Sequence, residues 1–107
     1  MKIGIVVSTN EAEVCFNLFR FANWSLKSNH EVTVFLVNRG VELEDIADEK
    51  FDVKKHVDSF IENKGRMLAC GTCLNLRQNE GSNVCQFSTT KDLLKLVEES
   101  DKLLTFG

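Results

Sequence analysis

The chain has 107 residues, of which 43% are hydrophobic and 27% charged, with a formal net charge of −3. That is enough chain for one domain with a real core, and its scattered charge, without a basic stripe, argues against nucleic acid as a partner. No apolar run approaches bilayer-crossing length, and no cleavage site follows the short apolar amino terminus, so the expectation is a cytoplasmic protein without a membrane partner.

Residues 2–8 are a nearly continuous apolar run rich in β-branched side chains, the pattern of a strand covered on both faces. Ser8-Thr9-Asn10 offers cap-type side chains, and residues 11–27 read as a helix. Within it Cys15, Leu18, Phe19, Ala22 and Leu26 recur at helical spacing and face the sheet, which makes Cys15 a small buried apolar residue. Val14, Phe21 and Trp24 form a second apolar stripe beside the first. Either self-association or a carboxy-terminal segment of the same chain would cover it. Beyond the turn Ser28-Asn29-His30, residues 32–37 are a second buried strand, ended by Asn38-Arg39-Gly40. The strand–helix–strand order implies a parallel pair joined right-handedly.

Residues 41–50 are acidic, with Leu43, Ile46 and Ala47 marking a short helix or ordered loop. Val53, Val57, Phe60 and Ile61 mark the next helix, ended by Asn63-Lys64-Gly65. A short buried strand, residues 66–70, then runs into a turn where another helix starts. Residues 78–83 are a polar loop, and residues 84–87 a short strand or extended connector. Thr89-Thr90-Lys91-Asp92 opens a helix whose apolar face is Leu93, Leu94, Leu96 and Val97. Residues 102–106 are the last strand. Residues 1–107 therefore read as a single three-layer α/β/α domain with a mainly parallel sheet of four or five strands.

The chemistry concentrates at Cys70-Gly71-Thr72-Cys73. Ligands in open α/β sheets are handled at the carboxyl ends of strands, and a helix amino terminus there favours an anion such as a thiolate. Cys70 reads as a sulfur nucleophile or carrier and Cys73 as its partner thiol. Gly71 would let the backbone bend or approach a substrate closely, and Thr72 would cap the new helix. Arg77, two turns on at a similar azimuth, would lend positive potential to bound sulfur, or end the helix in solvent. Cys85 is expected near the same sheet end, either resolving an oxidised Cys70 or buried. His30 and His56 read as surface histidines.

A thioredoxin-type dithiol needs a facing proline, and the chain has none. Zinc on Cys70, Cys73, Cys85 and either His30 or His56 would lack the second short ligand cluster that structural sites use, so no metal is assigned. No glycine-rich phosphate loop or serine-hydrolase elbow is present, and no cofactor is implied.

Four stretches together resemble the DsrE/DsrF/TusD-like family of sulfur-relay proteins: residues 2–9, residues 30–41, Ala69-Cys70-Gly71-Thr72-Cys73, and residues 98–106. The resemblance implies a sulfur carrier or sulfurtransferase, with Cys70 holding sulfane sulfur as a persulfide between a donor and an acceptor protein. It also implies a homo-oligomer, a trimer or hexamer, which agrees with the surplus stripe at Val14, Phe21 and Trp24. Cys73 departs from members with a single cysteine at this place, which leaves open whether it resolves a Cys70 persulfide, binds metal or merely packs. Two other readings stand beside it: a non-catalytic oligomeric binding or scaffold module, and a metal-binding protein using Cys70 and Cys73.

Overall fold

A computed structural model describes residues 1–79 and 85–107. The expected loop beyond Asn79 and the expected strand residue Val84 lie outside the described residues. The chain runs β1 (Lys2–Val7), α1 (Ala12–Lys27), β2 (Glu31–Leu36), a 3-10 segment (Asn38–Asp45), α2 (Val53–Glu62), β3 (Arg66–Cys70), α3 (Gly71–Leu76), β4 (Cys85–Ser88), α4 (Thr90–Glu99) and β5 (Lys102–Phe106). The strands form one parallel sheet in the order β4-β3-β2-β1-β5. The three-layer α/β/α expectation is met, with five strands.

Strand periodicity decides what each face holds. Ile3, Ile5 and Val7 of β1, Val32, Val34 and Leu36 of β2, and Met67 and Ala69 of β3 share one core face. Onto it pack Cys15, Leu18, Phe19 and Ala22 of α1, with Val53, Val57 and Phe60 of α2. The rings of Phe19 and Phe60 meet edge to face at 5.5 Å. Each such large side chain, fully buried, stabilises the fold by about 1.5–3 kcal/mol. On the opposite face α4 crosses β1, where the absent side chain of Gly4 leaves room for Leu96 and Ser100.

One helix end differs in detail from expectation, and another shows detail the sequence left open. The N-cap of α1 is Glu11, whose carboxylate accepts from the Val14 N–H at 2.7 Å, while Thr9 Oγ1 accepts from Glu11 N–H at 3.0 Å. After α2 the left-handed backbone position falls on Lys64 (φ 70°). Gly65 is needed for space, because a side chain there would press into the Phe60 ring.

The second stripe of α1 is not covered within the described chain: Phe21 is 43% and Trp24 70% exposed, with Val14 half-buried. On α4 no residue is buried, and Leu94 and Val97 stand exposed. Both outer layers thus carry more apolar surface than the sheet beneath them can use.

Candidate functional site

Strand β3 passes into α3 with no intervening loop. Cys70 is at once the last residue of the strand and the N-cap of the helix, with extended backbone at φ −60°, ψ 117°. Its side chain lies half-buried at the carboxyl rim of the sheet, the place where open α/β sheets handle ligands. The helix therefore begins at Gly71, whose missing side chain leaves the space filled by the Phe87 ring. Thr72 falls in the first turn, exposed, and Cys70 holds the cap position expected of Thr72. With six residues, α3 has only a small dipole to offer the sulfur.

Cys73 is the third helical residue and packs half-buried against the core. Its sulfur accepts the backbone N–H of Asn38 at 3.2 Å, and Cys70 lies three residues back at the start of the same turn. Asn38 follows β2 in the left-handed region (φ 52°), a conformation asparagine tolerates better than most residues. Burial chiefly, then the contact with Cys70, holds the Cys73 thiol above its ordinary 9.0, while the Asn38 N–H and Arg77 pull the other way.

Arg77 hydrogen-bonds neither sulfur and acts on Cys73 only through its charge. Its Nε donates to Glu42 Oε1 at 3.0 Å and its Nη1 to the Cys73 carbonyl at 3.1 Å. Asn10 Nδ2 donates to the other Glu42 oxygen at 3.3 Å. Arg77 thus ties α3 to the 3-10 segment and, through Glu42, to the residues that follow β1. Asn38, Glu42 and Asn10 had no signal of their own in the sequence beyond a turn motif and an acidic stretch, since each contact spans more than a helix-local distance.

The remaining candidates fall elsewhere. Cys85 pairs in register with Met67, whereas Ser88 stands opposite Cys70. At about 3.3 Å per residue, that separates Cys85 from Cys70 by roughly 10 Å along the strand direction. The expectation that they share one sheet end is corrected: β4 is short and begins level with Met67. Cys85 is buried, and burial followed by Glu44 pushes its thiol up to about 12. Cys15 is buried as expected, and burial followed by Glu11 raises it to about 11. The Met1 ammonium donates to His30 Nδ1 at 2.8 Å, at the opposite end of the sheet. His56 lies on α2 with its ring edge-on to Phe16. A cleft of about 570 Å³, lined by Lys2, Glu31, Arg66 and Asp92 among others, also opens at that opposite end and contains no cysteine. Among the described residues no group of three or more His, Cys, Asp or Glu is arranged to hold a metal ion. Nor is any helix among them long and apolar enough to cross a membrane.

Comparison with known proteins agrees with this architecture. The profile of the DsrE/DsrF-like family matches residues 1–106. An uncharacterised protein of Methanocaldococcus jannaschii, MJ0989, is 27% identical over 114 aligned positions, covering 99% of this chain and 100% of that protein. The crystal structure of the ychN protein from E. coli superposes with a TM-score of 0.82 at 20% identity, covering 99% of this chain and 100% of that one. BT1422 of Bacteroides thetaiotaomicron, a conserved protein of unknown function, gives 0.77 at 17% identity over 97% and 93%. At these identities the two structures speak for the fold alone. The match over residues 1–106 shows that the chain belongs to the DsrE/DsrF-like family.

Proposed function

We propose that this protein is a sulfur-relay carrier that holds sulfane sulfur as a persulfide on Cys70 and hands it to a partner protein. The observation that carries the reading is the contrast among the cysteines. Cys70 is half-accessible at the strand–helix crossing, whereas Cys15 and Cys85 are buried with thiols raised to about 11 and about 12. A sulfur nucleophile has to be reachable and able to ionise; family membership supplies the class of chemistry.

In loading, the Cys70 thiolate attacks the terminal sulfur of a donor persulfide. The new bond joins Cys70 Sγ to that sulfur, the donor's own S–S bond breaks, and the donor leaves as a thiol. Delivery repeats the exchange with an acceptor thiolate. The backbone N–H groups of Gly71 and Thr72 are the donors nearest the loaded sulfur in sequence, and Cys73 is the adjacent thiol. Arg77 acts as a positioning residue, fixing α3 through Glu42 and the Cys73 carbonyl. The working form is a homo-oligomer, a trimer or hexamer in the cytoplasm, joined through the surface of Phe21 and Trp24. Its sulfur donor and acceptor are proteins.

Cyanolysis tests the reading by converting protein-bound sulfane sulfur to thiocyanate. After incubation with a persulfide donor, Cys73→Ser should yield thiocyanate and the Cys70→Ser/Cys73→Ser double variant should yield none. Equal yields from both would overturn it. A second reading, a non-catalytic oligomeric scaffold, draws on the exposed Phe21 and Trp24. It requires that Cys70→Ser keep full partner binding and that Cys73→Ser take up no sulfur.

A further inference from the structure

We infer that Cys73 is a resolving thiol, so that the protein discharges its own carried sulfur as hydrogen sulfide and closes a Cys70–Cys73 disulfide. The inference rests on the persulfide reading of Cys70 and adds an activity to it, a persulfide-reducing half-reaction coupled to a dithiol reductant.

Three features of the site carry it. The first is position: Cys70 is the N-cap of α3 and Cys73 its third residue. That i, i+3 relation places the two side chains beside each other on one helical turn, and Cys70 raises the Cys73 thiol across it. The second is the Asn38 N–H, which points at Cys73 Sγ from 3.2 Å. A carrier that used Cys70 alone would need no donor there. A disulfide partner does, because its sulfur leaves as a thiolate whenever the disulfide is opened. The third is the lack of a competing thiol: Cys15 and Cys85 are buried, and Cys85 stands level with Met67.

The step balances as follows. The Cys73 thiolate attacks Cys70 Sγ, the inner sulfur of the persulfide. The Cys73–Cys70 bond forms, and the bond from Cys70 to the outer sulfur breaks. The outer sulfur departs with the electron pair as hydrosulfide, reduced, while the two cysteines are oxidised to the disulfide. A dithiol reductant then attacks the Cys70 sulfur. Cys73 leaves as a thiolate toward the Asn38 N–H, and the reductant closes its own disulfide as it releases Cys70.

The test loads reduced full-length protein with glutathione persulfide, removes the excess, and follows intact mass and released sulfide over time. It compares wild type, Cys73→Ser and Cys73→Ala. Wild type should lose the added sulfur atom and become two hydrogens lighter than the reduced chain. Peptide mapping should then find a Cys70–Cys73 disulfide, with one sulfide released for each, and dithiothreitol should restore both thiols. Both variants should hold the added sulfur more than about tenfold longer, a lower bound for losing an oriented intramolecular nucleophile. A wild-type persulfide that lasts as long as those of the variants, or decays without the disulfide, removes this inference and leaves the carrier intact. If the variants take up no sulfur at all, the carrier reading falls and this inference with it.

Discussion

A methyl group placed on Gly71 would press into the Phe87 ring, and one on Gly65 would press into the Phe60 ring. The two rings differ in their freedom to yield. Phe87 sits on the edge strand β4 and is 53% exposed, so it can swing outward. The contact it gives up is the buried half of a phenylalanine, about 1 kcal/mol. Alanine recovers roughly 0.4–1 kcal/mol by restricting the unfolded chain. Gly71→Ala should therefore leave stability within about 0.5 kcal/mol of wild type. Phe60 has no such exit: it is fully buried and packed against Phe19. Overpacking of this kind costs about 1–3 kcal/mol, so Gly65→Ala should lower Tm by several degrees, at roughly 4–8 °C per kcal/mol for a domain of this size. Thermal unfolding followed by circular dichroism separates the cases. In Gly71→Ala, iodoacetamide should also modify Cys70 at least as fast as in wild type, because the displaced ring opens the rim. If Gly71→Ala melts as low as Gly65→Ala, the Phe87 ring is fixed and the reasoning is refuted.

Native alkylation should label Cys70 and Cys73 while sparing Cys15 and Cys85, whose thiols lie near 11 and 12; labelling of either at the native rate of Cys70 contradicts the site assignment. Burial, then Lys55 and Arg20, hold His56 below its ordinary 6.5. The unfolded chain then binds that proton more tightly, so this contribution is full above pH 6.5 and is lost as pH falls through 6.5 toward the folded value. The urea midpoint of His56→Gln should change less than that of wild type between about pH 7.5 and about pH 5.5; parallel slopes would dismiss the effect. Because Cys73 is held above 9.0 and only its thiolate attacks, the wild-type persulfide should decay faster as pH rises from about 7 to about 9. A flat profile excludes Cys73 as the attacking group. Finally, Trp24→Lys should shift sedimentation from oligomer toward monomer, and an unchanged profile would place the interface elsewhere.

The layers of the fold were legible because burial on both faces leaves unbroken β-branched runs, as in β1 and β2, and because α1 repeats its apolar residues at helical spacing. Cys70 was legible for a related reason: the apolar pattern stops where the strand hands over to a helix. What escaped depends on distance along the chain. The N–H of Asn38 reaches Cys73 across 35 residues, as does Arg77 to Glu42, and no local pattern encodes either contact. The place of Cys85 depends on how far β4 slides along β3, which a one-residue difference in the connection would alter. The left-handed position on Lys64 escaped because Asn63-Lys64-Gly65 marks a helix end without saying which residue turns left-handed, and the Phe60 ring claims Gly65 for space. The open apolar surface of α4 has the same origin: its leucines show helical spacing whether the sheet below or another surface covers them.

The most direct measurement is intact-mass spectrometry with peptide mapping on Cys73→Ser after incubation with a persulfide donor, since that variant keeps Cys70 and removes its neighbour. The account predicts one added sulfur atom, located on the peptide that contains Cys70 and lost on treatment with reductant. No added sulfur, or sulfur spread evenly over Cys15, Cys70 and Cys85, would contradict it.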